Sequence, residues 1–508
     1  MVLGSGRFRA VSVQSRLIRF LPPAIPLAAA ATMWWPVTRN FFFADDFLHL
    51  FDLLSLPRWR FLTQIFGGHL CVVGNAISVL MYHSFGPDPR PWFCSVLLTH
   101  LLNVLLLYAV IRGAAGDRAL ACFGATLWGT CPVLEGALGW YSVYGQVLLT
   151  GLLLIVLLRL ARVVGSERGL TTRESLGWAL LLAVGAGCFG TGIVLAAVFP
   201  AVVVVVLSRR SWSSGAVGVL ALTAVLVLAT YAGLRTHEAH LEPNLDAVAP
   251  DVLSLRSTLT AIPAALRFTL HLLAFGTATL VLGSAESTTP YPGPAAMAIA
   301  GCVLAAIVAG LVASSPPARR QLAALVLLAL ASYAAVALGR ASFFGVFHYP
   351  LGRAATSARY HYLPLMLVAA AVCLALAPLR AWRAGAARAV DGAAAAFVLA
   401  RLALLGLRPL AIDHHDAQRR AVQAVLDRVR AAALAAPPGS VVRVENEPFP
   451  PALIPWLFPG SAGVFLIFEP ADTIAGRRVR FVAGESDWRL AHERGGRIAA
   501  LVERQGSK

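Results

Sequence analysis

Two adjacent aspartates, Asp45 and Asp46, follow Phe41, Phe42 and Phe43 in "RNFFFADDFLHLFDLL", residues 39–54, and His49 and Asp52 come soon after. A carboxylate placed there can act as a general base. Far downstream, "GRASFFGVFHYPLGRAATSARYHYLPL" gathers Arg340, Arg353 and Arg359 beside His348, Tyr349, Tyr360, His361 and Tyr362. Guanidinium forks match the oxygens of a phosphate. A phosphate leaves as a weak base and needs no proton, so one carboxylate and a cationic clamp suffice for transfer to a hydroxyl. Each half also has a plainer reading, the aspartates as helix-capping acids and the arginines as anchors for lipid headgroups.

The elements that must bring these groups together are membrane helices. Of 508 residues, 58% are hydrophobic and 13% charged, with a mean hydropathy of +0.73. A water-soluble protein of that composition would be unable to cover its apolar surface. The expected class is an all-α polytopic membrane protein. The net charge of +17 comes mostly from arginines clustered between apolar runs. That pattern marks cytoplasmic loops, and no nucleic-acid partner is expected. Lys508 is the one lysine, and the arginine and alanine bias points to a GC-rich bacterial genome. Cys71 and Cys94 are the one plausible loop pair among the seven cysteines, so no disulfide framework is indicated.

Arg7, Arg9, Arg16 and Arg19 precede the first apolar segment, 20–38, which places the N-terminus in the cytoplasm. Pro22, Pro23 and Pro26 and the lack of a clear small-residue cleavage site argue against a cleaved signal. The stretch 39–91 is then the first external loop. Further spans fit 92–112, 119–134, 145–164, 176–188, 191–208, 215–234, 295–313, 321–339, 359–378 and 390–408. Segment 261–283 is also long enough to cross. Counting it would put the basic turns "SSPPARR" and "RAWRAGAAR" outside, so it is assigned as re-entrant or lying along the outer interface. The expected topology is about eleven crossings, from a cytoplasmic N-terminus to a periplasmic C-terminus, within a bacterial inner membrane. Residues 1–408 form the membrane domain and 409–508 a small extramembrane α/β domain. In the latter, "HHDAQRRAVQAVLDRVRAAALAA" predicts a helix, "SVVRVENE", "GVFLIFE" and "RRVRFVA" predict strands, and Gly495–Gly496 a hairpin.

Within this frame Asp45, His49 and Asp52 stand at i, i+4 and i+7, the polar stripe of a helix lying on the outer leaflet. His69, Asn75 and His83 follow in the same loop. His100 and Asn103, inside a span, must face the bundle, where an interhelical hydrogen bond is the simple account. "CPVLEGALGWYSVYGQ" puts Glu135 at an outer helix end beside Trp140, Tyr141 and Tyr144. The outer face thus unites acids from the first loop with arginines from a late one. Such a site can hold a lipid-linked sugar phosphate and deprotonate an acceptor hydroxyl.

The order of these motifs resembles the GT-C superfamily of polyprenyl-phosphate-sugar-dependent glycosyltransferases, especially the protein O-mannosyltransferase branch and its bacterial undecaprenyl-phosphate relatives. "FFFADDF" is similar to the acidic pair that opens that family's first external loop. "GGHLCVVGNAISVLMYHSFG" with "LLTHLLNVLLLY", "LWGTCPVLEGALGWYSVYGQVLL" and "SARYHYLPL" look like its later landmarks, and the likeness covers about residues 10–408. The resemblance implies a GT-C fold and inverting transfer of a sugar, mannosyltransferase-like, to a protein, glycan or lipid hydroxyl. It implies catalytic roles for Asp45 and Asp46, the first as base and the second orienting it or the acceptor. It further implies substrate contacts from His69, Glu135, Arg353, Arg359 and Tyr360. Many relatives carry a Lys-Glu pair after the fifth span, where this chain has Phe189, Gly190 and Thr191 in "GCFGTG". With no lysine nearby, arginine must make any equivalent phosphate contact. The resemblance assigns no role to 409–508. No cofactor is expected; carboxylates and histidines cluster without tight metal-ligand spacing, which leaves a divalent cation open. Two other classes remain, an O-antigen polymerase or ligase, which more typically relies on late-loop arginines and a histidine, and a non-enzymatic membrane scaffold or transporter.

Overall fold

The computed structural model describes residues 13–166, 168–207, 211–241, 260–283, 293–346, 348–382, 384–407, 415–449 and 458–505. Arg7, Arg9, the Arg209–Arg210 turn and Lys508 lie outside them. After α1 (Val13–Trp34) the first loop holds α2 (Asp45–Ser55), α3 (Arg58–Thr63), the hairpin β1 (Ile65–Phe66) and β2 (His69–Leu70), and α4 (Val72–Phe85). The membrane domain continues with α5 (Pro89–Ala115), α6 (Arg118–Gly129), the short α7 (Glu135–Leu138), α8 (Tyr144–Gly165), α9 (Thr172–Ala186), α10 (Thr191–Val206) and α11 (Ser214–Leu241). It is completed by α12 (Ile262–Leu282), α13 (Pro294–Ala313), α14 (Pro316–Val346), the short α15 (Leu351–Ala354), α16 (Tyr362–Trp382) and α17 (Ala384–Leu407).

Local chemistry sets the helix ends. Gly116 closes α5 at φ 69°, in the left-handed region that costs glycine little. Asp117 then caps α6, accepting from Ala119 N at 2.8 Å and Leu120 N at 3.0 Å. Thr171 and Glu174 form a capping box at the start of α9. Among the described residues seven helices, α5, α8, α11, α12, α13, α14 and α16, are long and apolar enough to cross a membrane. That is fewer than the expected eleven. The apolar runs at 119–134, 176–188 and 191–208 yield helices of only 12, 15 and 16 residues, because turns and caps shorten each run. The 261–283 segment, expected as re-entrant or interfacial, is the unbroken helix α12, one of the seven, packed against α13 and α14.

The bundle core carries large aromatics with their polar ends satisfied. Trp34 donates Nε1–H to the Gly129 carbonyl at 2.8 Å, and Trp128 donates to that of Tyr362 at 3.0 Å. Both indoles are fully buried, where an unpaired N–H would be costly.

The C-terminal unit is a small α/β domain. It comprises α18 (Asp416–Ala435), β3 (Val441–Glu445), α19 (Gly460–Phe468), β4 (Thr473–Ile474), β5 (Arg477–Ala483), α20 (Glu485–Arg494), α21 (Gly496–Leu501) and β6 (Val502–Arg504). β3 runs parallel to β5 along one edge, while β4, antiparallel, and β6, parallel, share the other. Two expectations fail here. "GVFLIFE" is helix α19, with every residue from Gly460 to Ile467 buried, and a run buried on all sides has no periodicity to separate helix from strand. Gly495 and Gly496, both at positive φ, join two helices and make no β-hairpin.

This domain packs onto the first loop. Phe41 stacks on Phe468 at 6.0 Å, and Phe47 and Phe51 meet Phe449 and Phe458 edge-on at 5.0 and 5.6 Å. Tyr82 donates its hydroxyl to the Ile467 carbonyl at 2.7 Å, and Arg494 pairs with Asp52. The expected stripe of an interfacial helix is therefore not solvated. Asp46, His49 and Asp52 are all buried, and α2 lies between the rest of the loop and the C-terminal domain.

Candidate active site

The approach to α2 is kinked. Ala44 has φ 50°, a rare conformation for a residue with a Cβ, and of the kind that persists where surrounding bonds fix it. Asp46 supplies that fixing. Its Oδ2 accepts from Phe43 N at 2.9 Å, and its Oδ1 accepts from Ser142 N at 2.6 Å and Ser142 Oγ at 2.5 Å. Burial pushes the Asp46 pKa up to about 7, against the pull of these donors. Its oxygens are engaged in tying the first loop to the segment between α7 and α8.

Asp45, next to it, is only half-buried and makes no hydrogen bond or ion pair to a described residue. Burial raises its pKa, while the guanidiniums of Arg359 and then Arg340 draw it back down. The two neighbours thus differ: Asp46 is fixed by three hydrogen bonds, while Asp45 makes none to a described residue and feels the charge of two arginines.

Arg359 is held from below. A short 3-10 turn carries it against α7, where Gly136 leaves no room for a side chain under the Ala358–Arg359 backbone. Its guanidinium lies over Trp140 at 5.0 Å and donates Nη2–H to the Tyr360 hydroxyl at 3.3 Å. Its Nε is buried with no hydrogen-bond partner among the described residues. Trp140 meets Phe43 edge-on at 5.4 Å, and Phe43 stacks on His415 at 4.4 Å, so an aromatic row runs from the C-terminal domain to Arg359.

Arg340, near the end of α14, reaches the β1–β2 hairpin. It donates to the Gly67 carbonyl at 3.2 Å, and the same nitrogen is 3.5 Å from His69 Nε2. Arginine can only donate, so Nε2 is the accepting nitrogen of this imidazole. Burial, then Arg340 and Arg359, hold the His69 pKa down to about 3, so it is neutral. His69 stacks on Phe189 at 4.1 Å, and a side chain at Gly190 would strike its ring. Phe189 and Gly190 thus pack around the His69 ring, the first by stacking and the second by leaving it space.

The structure brings together Asp45, His69, Arg359 and Tyr360 from the expected set, with Glu135 close by at the head of α7. Arg353 is exposed and lies over Tyr349 at 5.8 Å. The second cation at Asp45 is instead Arg340. Sequence reading placed Arg340 in the late arginine belt without choosing it. Among the described residues, no three His, Cys, Asp or Glu side chains group as metal ligands.

Deeper in the bundle is a second polar group. The Tyr362 hydroxyl is 2.8 Å from His100 Nδ1 and accepts from Asn103 Nδ2 at 3.2 Å. His100 Nε2 donates to the Gly129 carbonyl at 3.1 Å, and Asn103 Nδ2 to that of Val147 at 2.8 Å. This is the interhelical role expected for His100 and Asn103.

Fold and site define the class as an all-α polytopic membrane protein with a small C-terminal α/β domain. No protein-family model matches the chain, and no curated protein matches it. Among solved structures it is similar to the archaeal oligosaccharyltransferase AglB from Archaeoglobus fulgidus, in complex with an inhibitory peptide and a dolichol-phosphate. The identity is 14% and the TM-score 0.39, and the match covers 82% of this chain and 58% of that one. The chain thus spans less than two thirds of that protein, and a likeness this distant assigns no activity.

Proposed function

We propose that this protein is a GT-C-type membrane glycosyltransferase that moves a sugar from a polyprenyl phosphate to an acceptor hydroxyl, with inversion. The observation that carries the reading is the Asp45 carboxylate, which accepts no hydrogen bond from a described residue and feels the charge of Arg359 and Arg340. The two guanidiniums hold the donor phosphate, and Asp45 receives the acceptor's proton as its oxygen attacks the anomeric carbon. A carbon–oxygen bond forms to the acceptor while the bond from that carbon to the phosphate oxygen breaks. The departing phosphate keeps the electron pair, and its growing charge is met by the same guanidiniums. His69 positions Arg340, and Asp46 positions the loop. The face shared by the first loop and the C-terminal domain is the external face of a bacterial plasma membrane.

The test is lipid mass spectrometry on detergent-purified protein. A polyprenyl phosphate should co-purify with wild type and with Arg353→Ala, and be lost from the Arg340→Ala/Arg359→Ala double variant. Equal retention in the double variant, or no such lipid on wild type after incubation with it, would remove the phosphate clamp.

A further inference from the structure

A groove of about 950 Å³ lies between the Trp35–Arg39 turn, the first turns of α5 and Arg419 of the C-terminal domain. It shares no residue with the Asp45 site. Three cations line it. Arg419 is committed, donating to the Arg39 carbonyl at 2.8 Å and lying 3.5 Å from Asp416. The side chains of Arg39 and Arg90 are different: both residues are exposed, and neither guanidinium makes a hydrogen bond or ion pair to a described residue. One acid, Asp88, also lines the groove, and its Oδ1 already accepts from Arg90 N.

Below this charged mouth the wall becomes apolar in a particular direction. Arg90, Cys94, Leu98 and Leu101 stand at i, i+4, i+8 and i+11, which is one face of α5, and all line the groove. From Arg90 to Leu101 the helix rises about 16 Å, close to half the roughly 30 Å hydrocarbon core of a bilayer. Leu98 is 70% exposed and Trp35, across the groove, is 60% exposed.

We propose that this groove binds an anionic phospholipid, with its phosphate between Arg39 and Arg90 and an acyl chain laid down the Cys94–Leu98–Leu101 face. Two uncommitted guanidiniums against one engaged acid favour a headgroup of net negative charge. A zwitterionic headgroup would bring a cation of its own to the same mouth. The site is independent of the transfer chemistry, so its test stands apart from activity.

Trp35 is the built-in reporter. Protein is placed in nanodiscs of unlabelled phosphatidylcholine containing either brominated phosphatidylglycerol or brominated phosphatidylcholine. The Trp35 signal is taken as the difference between wild type and Trp35→Phe. The anionic lipid should quench it at a lower mole fraction, by roughly fivefold for each of the two arginines and so about 25-fold. Arg39→Gln/Arg90→Gln should abolish the preference, and Arg39→Lys/Arg90→Lys, which keeps the charge, should retain most of it. Equal quenching by the two lipids, or a preference unchanged in the glutamine variant, overturns the proposal. Relief of quenching by polyprenyl phosphate far below the phosphatidylglycerol level would overturn the phospholipid in favour of a prenyl chain.

Discussion

The polar residues around Asp45, three of them charged, and the uncharged set around Tyr362 both sit in an apolar chain, and neither belongs there without a reason. Around Tyr362, both nitrogens of His100 are engaged, and the tyrosine hydroxyl and Asn103 amide bind each other and neighbouring helices. Around Asp45 the bonding capacity is left open: its carboxylate has no described hydrogen-bond partner, and the Arg359 Nε is buried without one. The first group holds helices together, while the second holds itself ready for something else. Helix α2 repeats the lesson over a shorter distance, since Asp46 and Asp52 are committed to Ser142 and Arg494 while Asp45 is not. Uncharged orphans such as Asn103 Oδ1 occur in the deeper group too, so what sets Asp45 apart is an open group that carries charge.

The strongest way to break that contrast is Asp45→Asn. Removing a general base costs about 100- to 10,000-fold in rate. Transfer of radiolabelled sugar at matched protein levels should therefore nearly vanish, with the thermal unfolding midpoint unchanged. Full activity would give Asp45 the standing of its neighbour. Next comes Arg494→Ala, which leaves the Asp52 carboxylate buried at 6% side-chain exposure. Removing one member of a buried ion pair costs up to about 3–5 kcal/mol, and because Asp52 keeps a further contact the loss should fall below that ceiling. The variant should unfold more easily, and adding Asp52→Leu should recover part of the loss. An unchanged denaturation curve would show that the pair contributes nothing to docking.

A third measurement is the pH–rate profile. Asp45 must be ionised to accept a proton, and burial holds its pKa above the ordinary carboxylate value while Arg359 opposes that rise. Activity should thus fall on acidification, along a limb displaced upward from a free carboxylate. Arg359→Ala removes a cation that favours the charged form, so the limb should move to still higher pH. A limb that stays put would separate Arg359 from Asp45. The smallest effect is expected from Tyr362→Phe, which deletes one hydroxyl from the deeper group. Interhelical hydrogen bonds of this kind are worth about 1 kcal/mol, so stability should drop slightly while the rate per folded molecule is unchanged.

Much of this was legible in the sequence, for reasons that also explain the gaps. Long apolar runs and their basic turns identified six of the seven long helices, the same turns misassigned α12, and alternation identified β3 and β5. The Asp45–Asp46 pair and Arg359 stood out because charge is rare in such a chain. What remained hidden depends on distant contacts. No local pattern says that Phe468 and Arg494 will cover α2, so Asp52 read as solvated. Nor does spacing distinguish Arg340, which reaches His69, from Arg353, which turns to Tyr349. The uniform apolarity of 460–467 concealed a helix.

The Asp52–Arg494 pair has a further consequence, in time. Its members are 442 residues apart in the chain. At a synthesis rate of about 5–20 residues per second, α2 waits roughly 20–90 s for the segment that will cover it. During that interval Phe47 and Phe51, fully buried in the finished molecule, have no C-terminal partner. Such distant pairing is slow to form and leaves apolar surface open to aggregation or to chaperones. The helix that bears Asp45 is thus synthesised well before the segment that encloses it, so a nascent chain carries its carboxylates long before it has a completed site.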